Sequence, residues 1–281
     1  MSRRLRRASG GRRFPVGRLL VALVIAAFSV ISYCSSRSYN DVTEETQFVG
    51  ISPEQEIAMG LQAAPEMSQQ HGGLYPDEEV QAYVDSVCQH LVDNSEAGKT
   101  EWPFECHLLA DEETINAFAL PGGQMFITVA LYEQLETEGQ LAGVMAHEIG
   151  HVVARHSSQR IAKMELTQGL SGAVVIATYD PDNPRSQGSA QIAALIGQLV
   201  NMKFGRDDEL QSDRLGVQFM SEAGYDPRSM IDVMQILAEA SEGNRPPEFF
   251  STHPNPENRI VRIREAIEEE FPDGIPEGLE E

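Results

Sequence analysis

The sequence predicts an α+β fold, mainly α-helical, with a small antiparallel β-sheet beside a central helix. Three observations carry that prediction. Apolar residues recur at helical spacing through most of the chain after Ser52. Only "WPFECHLL" (102–109) and "NAFALPGGQMFITVAL" (116–131) alternate like strands, and the second folds back at Pro121-Gly122-Gly123. No repeat and no second domain boundary is visible, so one domain is expected over residues 51–270.

The N-terminus has a different character. Residues 1–18 form a basic segment: the first 33 residues hold seven arginines and no acid. An uncharged run follows, Leu19 to Cys34, with a length between a signal-peptide core and a full membrane span. Basic residues ahead of such a run keep the N-terminus cytoplasmic, so the body is expected to be exported into the bacterial envelope. The run reads as a signal h-region or a membrane anchor. Cys34 is a candidate lipidation site, although Tyr33 stands where bacterial lipoprotein signals carry a small residue.

Residues 35–50 read as a polar linker. Helix signals begin at Ser52, with Pro53 at the first helical position and Gln55 closing a capping box. A second helix starts at Asp77, its apolar stripe running through Val80, Val84, Val87 and Leu91. One long helix is expected from about Glu138 to Met164, another from about Ser189 to Lys203, and a third from Asp207 to Glu222, stopped by Gly224. Two more follow, one after Asp226-Pro227 and one carrying Ile260, Ile263 and Ile267. Residues 271–281 read as an acidic, disordered tail.

The 281 residues are 41% hydrophobic and 23% charged, the composition of a globular protein with a core. The net charge of −22 understates the acidity of the body by the seven N-terminal arginines. That balance argues against nucleic acid as a partner. Cys88 and Cys106 either pair in an oxidising compartment or stand as buried hydrophobes.

"AGVMAHEIGHVVARH" (142–156) carries the chemistry. Four residues apart on a helix, His147 and His151 lie about 40° from each other on one face. Two neutral imidazoles so placed suit zinc, and Glu148 beside them is the expected general base toward a metal-activated water. His156 falls on the opposite side unless the helix ends first, which makes it a surface residue or one behind the site. The extended HExxHxxGxxH signature is excluded, because Ala154 and Ser157 occupy its later positions. Glu165 lies about 20 Å along the helix from His151, too far to share a metal. "KFGRDDELQSDRLG" offers Glu209 and Asp213, again four apart. One carboxylate would bind the metal and the other would hold a histidine N–H. From spacing alone, a solvated acidic helix remains an equal reading.

Four segments in this order, "NAFALPGG", "LAGVMAHEIGHVVARH", "GRDDELQSDRLG" and "STHPNPENRI", resemble the zinc metallopeptidases of family forty-eight. These include the CAAX prenyl proteases, the HtpX-type membrane proteases and periplasmic single-domain relatives, which look nearest. The resemblance covers about residues 40 to 270. It implies a gluzincin-like HExxH zincin core holding one Zn2+ per chain, with Glu209 as third ligand and Asp213 partnering a ligand histidine. The sequence departs from the family pattern at Gly205 (usually Ser) and Ser212 (usually Ala), which bears on loop geometry rather than on the ligands. The resemblance also brings His253 and Arg259 near the cleft. His253 would serve as an oxyanion donor in catalysis or occupy the water position and keep the enzyme latent; an exposed loop histidine is the plain alternative. Arg259 is a second candidate donor or a surface ion pair. Asn116 and Ala117 are implied to line the substrate groove. "GGQMFITV" is read as an exposed edge strand, with Gly122 and Gly123 keeping its approach open.

A metalloendopeptidase cutting extended or unfolded polypeptides in envelope quality control is the function these readings favour. Retention of Glu148 speaks against the rival, a zinc-bound adaptor or chaperone that does not cut. With only seven histidines, a zinc-buffering role is disfavoured.

Overall fold

The computed structural model describes residues 16–178, 204–241, 247–253 and 258–281. The expected helix from Ser189 to Lys203 lies outside them. The chain divides into two units, residues 1–35 with 163–200, and residues 36–162 with 201–281.

In the first unit, α1 (Val16–Ser35) is long and apolar enough to cross a membrane, with a mean hydropathy of 2.1 and most of its large side chains exposed. Ala22 is buried, as is Ala173 near the end of α6 (His156–Thr178). A Cβ on Gly169 of α6 would lie 2.0 Å from Ser29 Oγ, so glycine is what lets these two helices approach.

The second unit is built around α5 (Glu138–Val153), in which every residue from Gly139 to Val153 is buried. A helix covered on all sides needs no polar face, which is why its apolar pattern is nearly continuous. One side is covered by α3 (Glu78–Asp93), which buries Val84, Val87, Cys88 and Leu91 as its stripe predicts. Asp77 caps α3 through Glu79 N–H and Val80 N–H. Likewise the Ser52–Gln55 capping box opens α2 (Pro53–Gln70).

The sheet is mixed rather than wholly antiparallel. Its order is β3 (Glu105–Leu109), β5 (Gln124–Thr128), β4 (Ala117–Ala119). The hairpin β4–β5 is antiparallel as expected, but β3 joins β5 in parallel, Cys106 opposite Met125. "GGQMFITV" is therefore the central strand, buried along its length; β4 forms the edge. Gly122 and Gly123 open no approach: both are buried in a tight turn at φ +84 and +105. A Cβ on Gly122 would meet Ile57 Cα at 2.4 Å. Gly122→Ala is expected to destabilise the fold by about 2 kcal/mol through both clash and strain. Thermal unfolding checks this, and an unchanged Tm would contradict it.

Cys88 and Cys106 are joined in a disulfide, tying α3 to β3. The segment read as a linker folds into a hairpin of β1 (Arg37–Asn40) and β2 (Glu45–Phe48), paired Arg37 to Phe48. The tail is not free either. Glu280 N–H donates to Gly224 O, and Asp226 N–H to Glu280 O, so backbone pairing outweighs the acidity of the segment.

The expected long helix is two. After Val153 the chain turns at Arg155, which takes φ +55, and restarts at His156. Arg155 is clamped there by Glu56 and by the Ile51 carbonyl. The short α4 (Val129–Tyr132) follows β5. Among the described residues the unit also holds α7 (Arg206–Ala223), α8 (Ser229–Ser241), α9 (Phe249–Thr252) and α10 (Arg259–Glu270).

Candidate active site

The α5–α7 crossing is made of small residues, and this positions the site. A Cβ on Gly150 would stand 2.9 Å from Ser212 Oγ, and Gly216 faces the His147 backbone. Ser212 Oγ donates to the His147 carbonyl at 3.0 Å, so the serine stitches the two helices together. Gly205 begins α7, its N–H donating to Asp208. The close approach lays Glu209 and Asp213 against the face that carries His147 and His151.

The Nε2 atoms of His147 and His151 are 3.1 Å apart. Glu209 carboxylate oxygens lie 3.6 Å from the first and 3.4 Å from the second. Two donors each about 2.05 Å from a tetrahedral zinc stand about 3.3 Å apart, so the spacing fits that ion. Glu209 Oε2 is fully buried and accepts no hydrogen bond, although Arg259 Nη1 lies 3.2 Å away. Ring nitrogens converging on a buried carboxylate of this kind can hold a cation. His253 completes the cluster, its Nδ1 3.2 Å from Glu209 Oε1 and 3.3 Å from His147 Nε2. All four groups are buried and offer ligand atoms within 4.8 Å of one another.

Behind the ligands, His147 Nδ1–H donates to Asp213 Oδ1 at 2.9 Å, which turns Nε2 inward. Arg259 holds Asp213 in a two-pronged pair, Nε to Oδ2 at 2.7 Å and Nη2 to Oδ1 at 2.8 Å. Arg259 is 2% exposed, so it is not a surface ion pair; its Nη1, which has no hydrogen-bond partner, stands 3.2 Å from Glu209 Oε2. His156 is buried too, its Nδ1 2.8 Å from His151 Nδ1, because the helix break swings it back onto the site. Phe204 covers His151 with ring centroids 4.2 Å apart.

Electrostatics follow from burial and these pairs. Burial pulls the Glu209 carboxyl up, but the imidazoles of His147, His151 and His253 gathered around it outweigh burial and hold it well below the usual carboxylate range. Burial drives His151 well below its usual range, so it is neutral. His147 goes the other way. Burial and Arg259 disfavour its proton, yet Asp213 and Glu209 win and push it up to about 9. A metal must displace that proton. Metal affinity is therefore expected to rise about tenfold per pH unit from 7 toward 9 and then level off. Titration against a chromogenic chelator at several pH values measures this, and a flat profile would contradict it.

Glu148 is 1% exposed, and its Oε1 has no hydrogen-bond partner; His253 Nε2 stands 3.6 Å from it. Asn116 and Ala117 are buried at the start of β4 rather than open to solvent. Asn116 N–H donates to Thr128 Oγ1, while its Oδ1 has no partner. The segment bearing His253 docks just before this strand, Phe249 N–H donating to Ile115 O at 3.3 Å.

A buried HExxH helix, crossed by a helix that sets a carboxylate able to hold a metal beside both histidines, has the arrangement of a metallopeptidase centre. The chain belongs to peptidase family M48, which matches residues 78–267. It is 31% identical to the beta-barrel assembly-enhancing protease of Escherichia coli (strain K12) over 261 residues, 87% of this chain and 51% of that protein. With the mitochondrial metalloendopeptidase OMA1 of Schizosaccharomyces pombe the identity is 30% over 244 residues, 85% of this chain and 69% of the relative. The chain thus spans about half the length of the bacterial relative.

Proposed function

We propose that this chain is a zinc-dependent endopeptidase that hydrolyses peptide bonds in extended or unfolded polypeptides, and that His253 holds it latent. One observation carries the reading: His147, His151 and Glu209 converge on a single point, with the non-ligating Glu148 on the same helix beside them. One bound zinc ion would supply Lewis acidity, acidifying water and polarising the scissile carbonyl. Glu148 would take the proton of the attacking water and deliver it to the leaving amine. Asp213 would keep His147 oriented throughout, and Arg259 would keep Asp213 ionised.

The outer edge of β4 supports the substrate class. A strand paired on one side only can bind an extended peptide through main-chain hydrogen bonds, with little demand on sequence. Asn116 and Ala117 would then contribute through the backbone of that edge, and Gly123 by shaping the turn behind it. For location, we place the body in the bacterial envelope, held at the membrane by α1, in protein quality control. The basic N-terminus supports this, as does the bacterial beta-barrel assembly-enhancing protease among the relatives. Polypeptides are the partners; the acidity of the body disfavours nucleic acid.

His253 fills the side of the cluster where water must enter, which favours latency and keeps a zinc-bound, non-cleaving adaptor as the second reading. The test uses the full chain in detergent with one equivalent of zinc and casein as an unfolded substrate. Slow cleavage by the wild type, faster cleavage by His253→Ala, and loss of both with chelator is the expected result. Zinc-loaded protein that never cuts, with or without His253, would support the adaptor instead.

A further inference from the structure

Beyond the ligands runs a chain of hydrogen bonds with a single consistent direction. The carboxylate of Glu45, on the β1–β2 hairpin, is an acceptor. Gln211 Nε2 donates to its Oε2 at 2.8 Å, so the amide oxygen of Gln211 must face the other way. That oxygen lies 2.9 Å from His156 Nε2, which must therefore carry a hydrogen. His156 is buried and its two ring nitrogens face an amide oxygen and another imidazole rather than a carboxylate, so it is neutral, and a neutral imidazole protonated at Nε2 has a lone pair at Nδ1. His156 Nδ1 stands 2.8 Å from His151 Nδ1, so the hydrogen between them belongs to His151. His151 Nε2 is left as a lone pair, aimed at His147 Nε2 and Glu209.

We propose that Gln211 and His156 are positioning residues that set the tautomer of His151, and that the surface carboxylate of Glu45 sets theirs. His147 is fixed directly by a buried carboxylate, whereas His151 is fixed by a three-residue relay that ends on an exposed hairpin. The relay rests on reading His151 as a metal ligand only for its purpose; its direction follows from hydrogen bonds alone. Each member has a distinct task. Gln211 converts an acceptor at the surface into an acceptor facing the interior. His156 repeats that conversion and delivers an acceptor to His151, the role a carboxylate or carbonyl plays behind most ligand histidines. The break of the α5–α6 helix at Arg155 is what brings His156 into line.

The test is a variant that changes no shape near the metal. In Glu45→Gln the surface partner can donate as well as accept, so Gln211 is free to turn its amide over and the direction is lost. The double variant Glu45→Gln/Gln211→Glu restores it, since the amide introduced at position 45 donates to a carboxylate that still accepts from His156. Histidine-selective nitrogen-15 NMR on the metal-free full chain reads the tautomers, and competition with a chelator reads zinc affinity. Wild type is expected to show His151 protonated at Nδ1 and His156 at Nε2. Glu45→Gln should mix these forms and weaken zinc binding about tenfold or more. The double variant should recover both. Unchanged tautomers or affinity in Glu45→Gln, or no recovery in the double variant, would overturn the proposal. If the tautomers behave as stated but the wild type itself binds no zinc, the reading of the site fails and the relay stands.

Discussion

Replacing Glu148 with glutamine is expected to cut peptide-bond hydrolysis by about 10²–10⁴-fold while leaving metal content and Tm unchanged. The expectation follows from position. Glu148 lies on the ligand helix but contributes no ligand to the cluster of His147, His151, Glu209 and His253. Its Oε1 is buried with no hydrogen-bond partner, a costly arrangement that a purely structural glutamate would not keep. Glutamine preserves shape and removes the basicity. Because the proposed latency would lower the signal, the comparison is best made in the His253→Ala background, measuring kcat on an unfolded polypeptide beside metal content. Retained cleavage would remove Glu148 from the chemistry, and lost metal would make it a ligand.

The second large effect is on stability. Arg259→Met is expected to destabilise the metal-free protein by about 3–5 kcal/mol and to lower its Tm by roughly 10 °C. Arg259 is the cation paired with the buried Asp213, and it also stands 3.2 Å from Glu209. Removing it strands two carboxylates away from water. A bound metal would compensate Glu209 but not Asp213, so loading should restore only part of the loss. Arg259→Lys should fall between, because an ammonium cannot span both Asp213 oxygens in the way a guanidinium does. Differential scanning calorimetry of apo and loaded forms gives the comparison. A Tm within 2 °C of wild type would show that the pair contributes nothing net.

What was legible in the sequence had short-range causes. The capping residues Ser52 and Asp77, the stop at Gly224 and the stripe of α3 are local signals, and each matches the structure. His147 and His151 were legible because four residues on a helix dictate a common face. Glu209 was not legible from spacing alone. An acidic helix with Asp207, Asp208 and Glu209 in a row has the same pattern in solvent or against a metal, and only the packing of Gly150 on Ser212 decides. The resemblance to a family supplied what the pattern lacked.

The misses were non-local. Nothing in "VVARHSS" announces a helix break, for it contains neither glycine nor proline. Arg155 is held in its left-handed conformation by Glu56, about a hundred positions earlier in the chain. Spacing leaves His156 either on the surface or behind the site, and this break decides for the second. Arg259 read equally as a surface residue, because its partner Asp213 lies on another helix. The central place of β5 depended on a parallel pairing with β3, which no hairpin signal encodes. The linker and tail misled for the same reason, since polar composition does not reveal which backbone groups find partners.

The central claim is that the cluster on α5 and α7 binds one zinc ion that is required for peptide cleavage. The most direct measurement strips the full-length His253→Ala protein of metal and adds zinc back in steps, following cleavage of casein. Activity should be absent without metal and rise linearly to saturate at one equivalent per chain. In parallel, Glu209→Gln should bind zinc weakly and stay inactive. Cleavage that survives metal removal, or that is unaffected by Glu209→Gln, would contradict the account.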